Sequence, residues 1–293
     1  MAVIELQHVT KKYAAVVANK DISLTIQASE LVGLIGENGA GKSTLIKQLL
    51  GLEQVTSGQI NIFDTRPGTA KLRQIVGVMQ QNDLVMRNVK VNDILQWAHA
   101  LYQQPLALKE VLRITNLGAQ KNQYINELSG GQQRRLSFGL AIIGRPQLLL
   151  LDEPTVGMDV LNRKHFWDYV RQLQQTGTTI IVTSHYLDEI ADTANRLLIL
   201  KRGQLTFDGT LIELQQQINK TVVDFESEQK LGAAFNTDQN ILNWSQLGNH
   251  YKVEVTNSDT WLQMYYEQIP TFKGLQIKAT SLTEIMTNML EGK

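Results

Sequence analysis

The chain has 293 residues, 43% of them apolar, and its 28 basic side chains balance 28 acidic ones. The apolar share suits one large globular domain plus a small one, and zero net charge argues against a polyelectrolyte partner such as nucleic acid. There is no cysteine, which excludes disulfides and thiolate metal sites and suits a reducing compartment.

The opening Met1-Ala2-Val3-Ile4-Glu5 lacks the basic start and apolar core of a signal peptide. No apolar run approaches the roughly 20 residues that cross a bilayer. Any work at a membrane is therefore expected to pass through another subunit. Residues 3–9 and 22–26 alternate apolar and polar, as strands do. Residues 30–35 form a short apolar strand that runs into a glycine-rich loop. Residues 43–50 then predict a helix, with Leu45, Ile46, Leu49 and Leu50 on one face and Gly51 as its stop. Residues 59–63 and 75–79 are short strands. From 91 to 143 the pattern is helical. Residues 148–151 and 179–183 are uninterrupted apolar or β-branched runs, suited to strands buried on both faces of a parallel sheet. Residues 160–175 read as the crossover helix between them. Near 215–220 the composition changes, and 221–293 reads as a small α+β domain after a larger domain of residues 1–220.

The loop Gly36-Glu37-Asn38-Gly39-Ala40-Gly41-Lys42-Ser43-Thr44 satisfies G-x-x-x-x-G-K-[ST]. Its glycines allow successive backbone N–H groups to point inward at a helix N-terminus, where an anion is favoured. Lys42 then reaches the outer phosphates and the Ser43 hydroxyl ligates Mg²⁺. A guanine-reading N-K-x-D should lie downstream in a GTPase. Asn19-Lys20-Asp21 lies upstream and is expected to be a loop before a strand. At the end of the run 148–151, Asp152 is placed to hold Mg²⁺ and Glu153 to face the attacking water as general base.

With Leu128-Ser129-Gly130-Gly131-Gln132 added, residues 1–217 resemble the ATP-binding subunit of an ABC transporter. The resemblance implies an α/β P-loop fold, a mixed sheet core with a helical subdomain at about 88–143, and ATP with Mg²⁺ as ligands. It implies that Ser129, Gly130, Gly131 and Gln132 bind the γ-phosphate held by a second copy, in a homodimer or a heterodimer. By the same likeness, Tyr13 stacks on adenine, Gln81 (or Gln80) senses Mg²⁺ and the membrane subunit, Asp159 lies in the loop touching the partner's cradle, and His185 contacts the γ-phosphate. Residues 154–159 and the ending Ser281-Leu282-Thr283-Glu284-Ile285-Met286 are similar to the type-2 drug and antibiotic exporters, although Thr283 interrupts that ending. The implied setting is the cytoplasmic face of the cell membrane, beside a separate transmembrane permease.

The competing expectation is a soluble ABC-type ATPase acting on ribosomes or DNA. Such relatives usually carry two cassettes or a long coiled-coil insertion, and neither fits this chain. Residues 221–293 are alternatively a regulatory or dimer-stabilising module. Trp97, Trp167, Trp244 and Trp261 are expected to fill core or interface. Arg134 and Arg135 are expected on the phosphate side or in subdomain salt bridges. Met286, Met289 and Leu290 form an apolar stripe expected in the core.

Overall fold

The computed structural model describes residues 1–81, 86–218 and 220–291. They form two compact units, Met1–Gly209 and Thr210–Lys293. In the first unit the elements run β1 (Ala2–Tyr13), β2 (Val16–Gln27), β3 (Leu31–Gly36), α1 (Lys42–Leu49), β4 (Ser57–Ile62), α2 (Ala70–Ile75) and β5 (Val76–Met79). They continue with α3 (Val91–Ala100), α4 (Leu108–Ile114), α5 (Gly130–Ile142), β6 (Leu148–Asp152), α6 (Val160–Gln175), β7 (Thr179–Thr183), α7 (Leu187–Thr193), β8 (Arg196–Lys201) and β9 (Gln204–Gly209).

Two sheets divide the strands. An antiparallel sheet has the order β2-β1-β4, and a mixed sheet has the order β5-β6-β7-β3-β8-β9. In the mixed sheet only β9 runs antiparallel, against β8. The buried-run pattern of β6 and β7 follows from their central places, since helices or sheet cover both faces. The main core lies around α1, where Leu45, Ile46 and Leu49 meet Ile4, Leu6, Ile26 and Ile62 of the antiparallel sheet and Leu148, Leu150, Ile181 and Leu198 of the mixed one. Gly51 stops α1 as expected, at φ 71° with its N–H donated to Gln48 O. The predicted helical stretch resolves into α3, α4 and α5, with the signature string at the start of α5.

Asn19-Lys20-Asp21 is not a loop. It lies inside β2, where Lys11 pairs with Asn19. Asp21 takes φ 52° and the β1–β2 register shifts beside it, so the strand continues through a bulge that inverts its side-chain alternation. Trp97 also departs from a core role. Val91 and Leu95 are the buried residues of α3, and Trp97 is 58% exposed. Trp167 and Trp261 are buried, and Trp244 is half-buried, donating Nε1–H to Asn236 Oδ1.

The second unit begins with α8 (Leu211–Ile218), so the contacts divide the chain before the composition change at 215–220. It continues β10 (Thr221–Glu226), α9 (Gly232–Phe235), β11 (Ile241–Leu247), β12 (His250–Val255), α10 (Ser258–Met264), β13 (Lys273–Ala279) and α11 (Leu282–Glu291). The antiparallel sheet order is β11-β12-β10-β13. This is the β-α-β-β-α-β arrangement in which the first strand becomes central, the ferredoxin-like motif. Val223, Phe225, Tyr251, Val253, Phe235, Trp261 and Tyr265 form its core. Phe225 stacks on Phe272 at 4.1 Å between ring centres and on Tyr251 at 5.5 Å. Met286 is buried as expected. The side chains of Met289 and Leu290 lie outside the described residues.

Candidate functional site

The cradle joins β3 to α1. Gly41 stands at φ 103°, a conformation open to glycine. A Cβ there would lie 2.3 Å from Ala18 O and 2.6 Å from Asn19 Nδ2, so β2 backs directly onto the loop. No side chain caps α1, and its first turn holds no acid. Its leading N–H groups and dipole are therefore free to meet an anion. Lys42 Nζ donates to Gly36 O at 2.7 Å and Glu37 O at 3.0 Å. Burial pushes the Lys42 ammonium below its ordinary pKa, while the charges of Glu153 and Asp152 hold it up.

A cavity of about 190 Å³ lies against this loop. Glu37, Asn38, Gly39, Gly41, Lys42, Ser43 and Thr44 line one side, and Gln81, Asp152, Glu153 and His185 line the other. Gln80 is not in the lining. Its carbonyl instead accepts from buried Arg134 at 2.9 Å, which ties α5 to the glutamine loop. Among the described residues Arg134 and Arg135 form no salt bridge; Arg135 donates to Asn162 Oδ1 at 2.6 Å. Ala40 is buried behind the loop, where its carbonyl accepts from Gly203 N–H.

The acid pair is set by the β6–β7 pairing. Asp152 faces Thr183 and accepts from its Oγ1 at 2.5 Å. Glu153 leaves the strand at φ 51° and is 3% exposed. Its N–H donates to Thr183 O and Oγ1. Its carboxylate accepts the His185 N–H at 3.1 Å, and His185 Nε2 lies 3.4 Å from the other oxygen. Burial raises the Glu153 pKa above the usual carboxylate range. The His185 amide and ring oppose the rise, Asp152 adds to it, and Lys42 opposes it. A buried, lifted carboxylate beside a phosphate-sized cavity has the properties of a proton acceptor for water.

Tyr13, at the end of β1, is 41% exposed and does not line the cavity; Lys11 Nζ lies 4.7 Å over its ring. Val16 and Ala18 are the β2 residues that do line it. Ser129 caps α5 by accepting from Gln132 N–H, and the Gln132 side chain accepts from Ser129 N–H in return. Gly130 and Gly131 open that helix. A Cβ on Gly131 would lie 2.5 Å from Gly157 O, so the loop before α6 presses on the signature. Asp159 caps α6 through Asn162 N–H at 2.9 Å. None of Ser129, Gly130, Gly131, Gln132 or Asp159 lines the cavity of its own chain.

Two residues escaped the sequence reading. Thr183 organises both acids. Asn19, fully buried, donates Nδ2–H to Gly41 O at 3.2 Å. No sequence signal marks Asn19, because by alternation it shares a face with the polar Asp21, Ser23 and Thr25.

A strand, an anion loop on a helix and two acids at the end of β6, one strand beyond the neighbouring β7, define a nucleoside-triphosphate hydrolase site. The family model described as ABC transporter matches residues 19–156. The linearmycin resistance ATP-binding protein LnrL of Bacillus subtilis is 34% identical over 72% of this chain and 70% of its own. A Nod factor export ATP-binding protein I of Neorhizobium galegae is 35% identical over 73% and 64%. Among solved structures, an ATP-binding subunit of an ABC transporter matches with TM-score 0.68 at 24% identity, over 74% of this chain and 93% of that one. A dimeric cassette in a post-hydrolysis state with ADP and Pi matches with TM-score 0.65 at 24% identity, over 71% and 98%. The chain belongs to the ATP-binding, ATP-hydrolysing subunits of the ABC transporter family.

Proposed function

We propose that this chain drives an exporter, closing head to tail on a second cassette around ATP and passing that motion to a separate transmembrane permease. The observation that carries this reading is the split of the site. Cradle, acids, Gln81 and His185 share one cavity, whereas Ser129, Gly130 and Gly131 stand elsewhere on the same chain. A signature outside its own cavity is free to complete the cavity of another copy. The names of the resistance and export relatives support the outward direction.

In this reading Lys42 and the loop N–H groups bind the outer phosphates. Glu153 orients water and accepts its proton on a carboxylate oxygen. His185 steadies that carboxylate and meets the γ-phosphate, and Tyr13 offers its ring to adenine. Ser43, Gln81 and Asp152 would hold Mg²⁺. All three offer hard oxygen donors in one lining, with a single carboxylate, which suits an ion that shares its shell with substrate oxygens. Bound there, Mg²⁺ supplies charge neutralisation of the phosphates. Asp159 touches the partner's cradle. The permease docks where Leu49, Leu50, Leu72, Leu101 and Tyr102 line a groove of about 510 Å³, with Trp97 exposed on α3, the helix that ends just before Leu101. Among the described residues no helix is long and apolar enough to cross a membrane. The cytoplasmic membrane face is thus reached through the permease. Residues 221–293 serve as a regulatory or dimer-stabilising module.

Tagged Glu153→Gln chain with Mg-ATP, drawn from detergent-solubilised membranes, tests the reading. We expect a stable dimer and a co-purifying polytopic membrane protein. A monomer with no membrane partner sinks the proposal.

A further inference from the structure

Outside the cavity, a half-buried polar cluster ties three elements together around Glu189, whose side chain is 15% exposed. Its Oε2 accepts from Thr155 Oγ1 at 2.9 Å and from Trp167 Nε1–H at 2.8 Å. Its Oε1 pairs with Arg163 NH1 at 3.1 Å. The Arg163 guanidinium also donates to Met158 O and lies 4.6 Å over the Tyr186 ring. Thr155 and Met158 bound the segment that ends in Asp159. Tyr186 follows His185 directly, and Glu189 N–H donates back to Tyr186 O.

We propose that Arg163 and Glu189 are positioning residues that lock the Asp159 loop to the His185 loop. The inference rests on the reading that Asp159 meets a second cassette and His185 meets the γ-phosphate. An isolated loop held by one hydrogen bond would drift independently. This cluster instead ties both loops to one ion pair. Thr155 and Trp167 are almost fully buried, so the Glu189 carboxylate is held from its inner side and only partly screened from Arg163. A shift of Asp159 on closure is carried through Met158 and Arg163 to Glu189 and Tyr186. It thereby moves the His185 N–H that holds the Glu153 carboxylate. Cassette closure and base alignment become a single event, with no contact between Glu189 and nucleotide.

Glu189→Gln tests the linkage. The amide oxygen still accepts from Thr155 and Trp167, but the amide nitrogen faces Arg163 without attraction. Full-length chain is assayed for ATP turnover, and nucleotide affinity is measured by equilibrium titration. We expect kcat to fall on the order of tenfold or more, as for misplacement of a catalytic group, with affinity unchanged. Arg163→Lys, which keeps the charge but loses the two-pronged reach to Met158 and Glu189, should behave alike. Asp159→Ala should lower kcat in the native background and lower it no further in Glu189→Gln, since both cut one linkage. If the two losses multiply, or if affinity falls in step with kcat, the linkage is wrong while the Asp159 reading stands. If Asp159→Ala alone turns over normally, the partner-contact reading itself fails.

Discussion

Replacing Gly131 by alanine separates what the signature does for folding from what it does for function. An ideal Cβ at this position would sit 2.5 Å from Gly157 O, 3.4 Å from Gly157 C and 3.6 Å from Met158 Cα. Real Cβ contacts essentially never fall below 3.0 Å, so backbone must move by at least 0.5 Å, and no flexible side chain is available to give way. Overpacking of this kind costs about 1–3 kcal/mol. Alanine returns about 0.5–1 kcal/mol by its better helix propensity. The net loss of stability is thus about 0–2.5 kcal/mol, within reach of a domain of this size. The displaced segment, however, carries Asp159, and a shift approaching 1 Å costs on the order of a hundredfold in rate. We expect Gly131→Ala to unfold within a few degrees of the native chain and to hydrolyse ATP far more slowly. Gly130→Ala, with nothing within 4 Å, meets no such clash and should leave the Asp159 loop in place. Thermal unfolding and steady-state ATPase assays measure both sides. Wild-type turnover in Gly131→Ala would refute the close-approach argument, as would outright failure to fold.

Three further outcomes follow from the geometry. Because burial raises the Glu153 pKa, the acid limb of the kcat profile should lie above the roughly 4.3 of a free glutamate. The folded chain then holds that proton more tightly than the unfolded one, so its contribution to stability is present at low pH and lost as pH rises through the folded pKa. Glu153→Gln should accordingly raise the unfolding midpoint at neutral pH, by a margin that shrinks on acidification; a margin that grows would contradict it. Asn19→Leu removes the donor to Gly41 O and an oxygen that is buried without a partner. ATP affinity should drop about fivefold, the worth of one hydrogen bond near 1 kcal/mol, with no loss of stability; unchanged affinity in titration calorimetry would count against a role for Asn19. Phe225→Ala opens the aromatic core of the second unit and should destabilise it by about 3–5 kcal/mol, read from near-ultraviolet circular dichroism under denaturant. A loss below about 1 kcal/mol would mean the core is not as packed as it looks.

The parts of the site that sequence exposes are those built from one continuous stretch. Cradle, acid pair and signature are each a strand end or helix start with its loop, and their residue types follow from local backbone needs. Asn19 was missed because the strand is expected to begin only at residue 22, and extending it backwards by parity misleads too. Ile22, Leu24 and Ile26 point inward, which by strict alternation sends Asn19 outward; the Asp21 bulge reverses it. For Trp97 only the core alternative fails, since α3 turns Val91 and Leu95 inward and leaves the indole exposed. Glu189 could be seen only as an acid after His185. Its partners Thr155, Arg163 and Trp167 come from two other segments, and no spacing rule connects them.

The sheet order has a consequence for how the chain is made. The cradle strand β3 is synthesised early, yet its neighbours are β7 and β8, with Gly36 paired to Leu200. At about 5–20 residues per second, on the order of ten to thirty seconds separate the appearance of the loop from that of the strand that braces it. During this interval α1 and its glycines lack half of their support, and the long-range closure that completes them is the slow kind. A ribosome-bound chain arrested before β8 should therefore fail to retain ATP, although every residue of the cradle has already emerged.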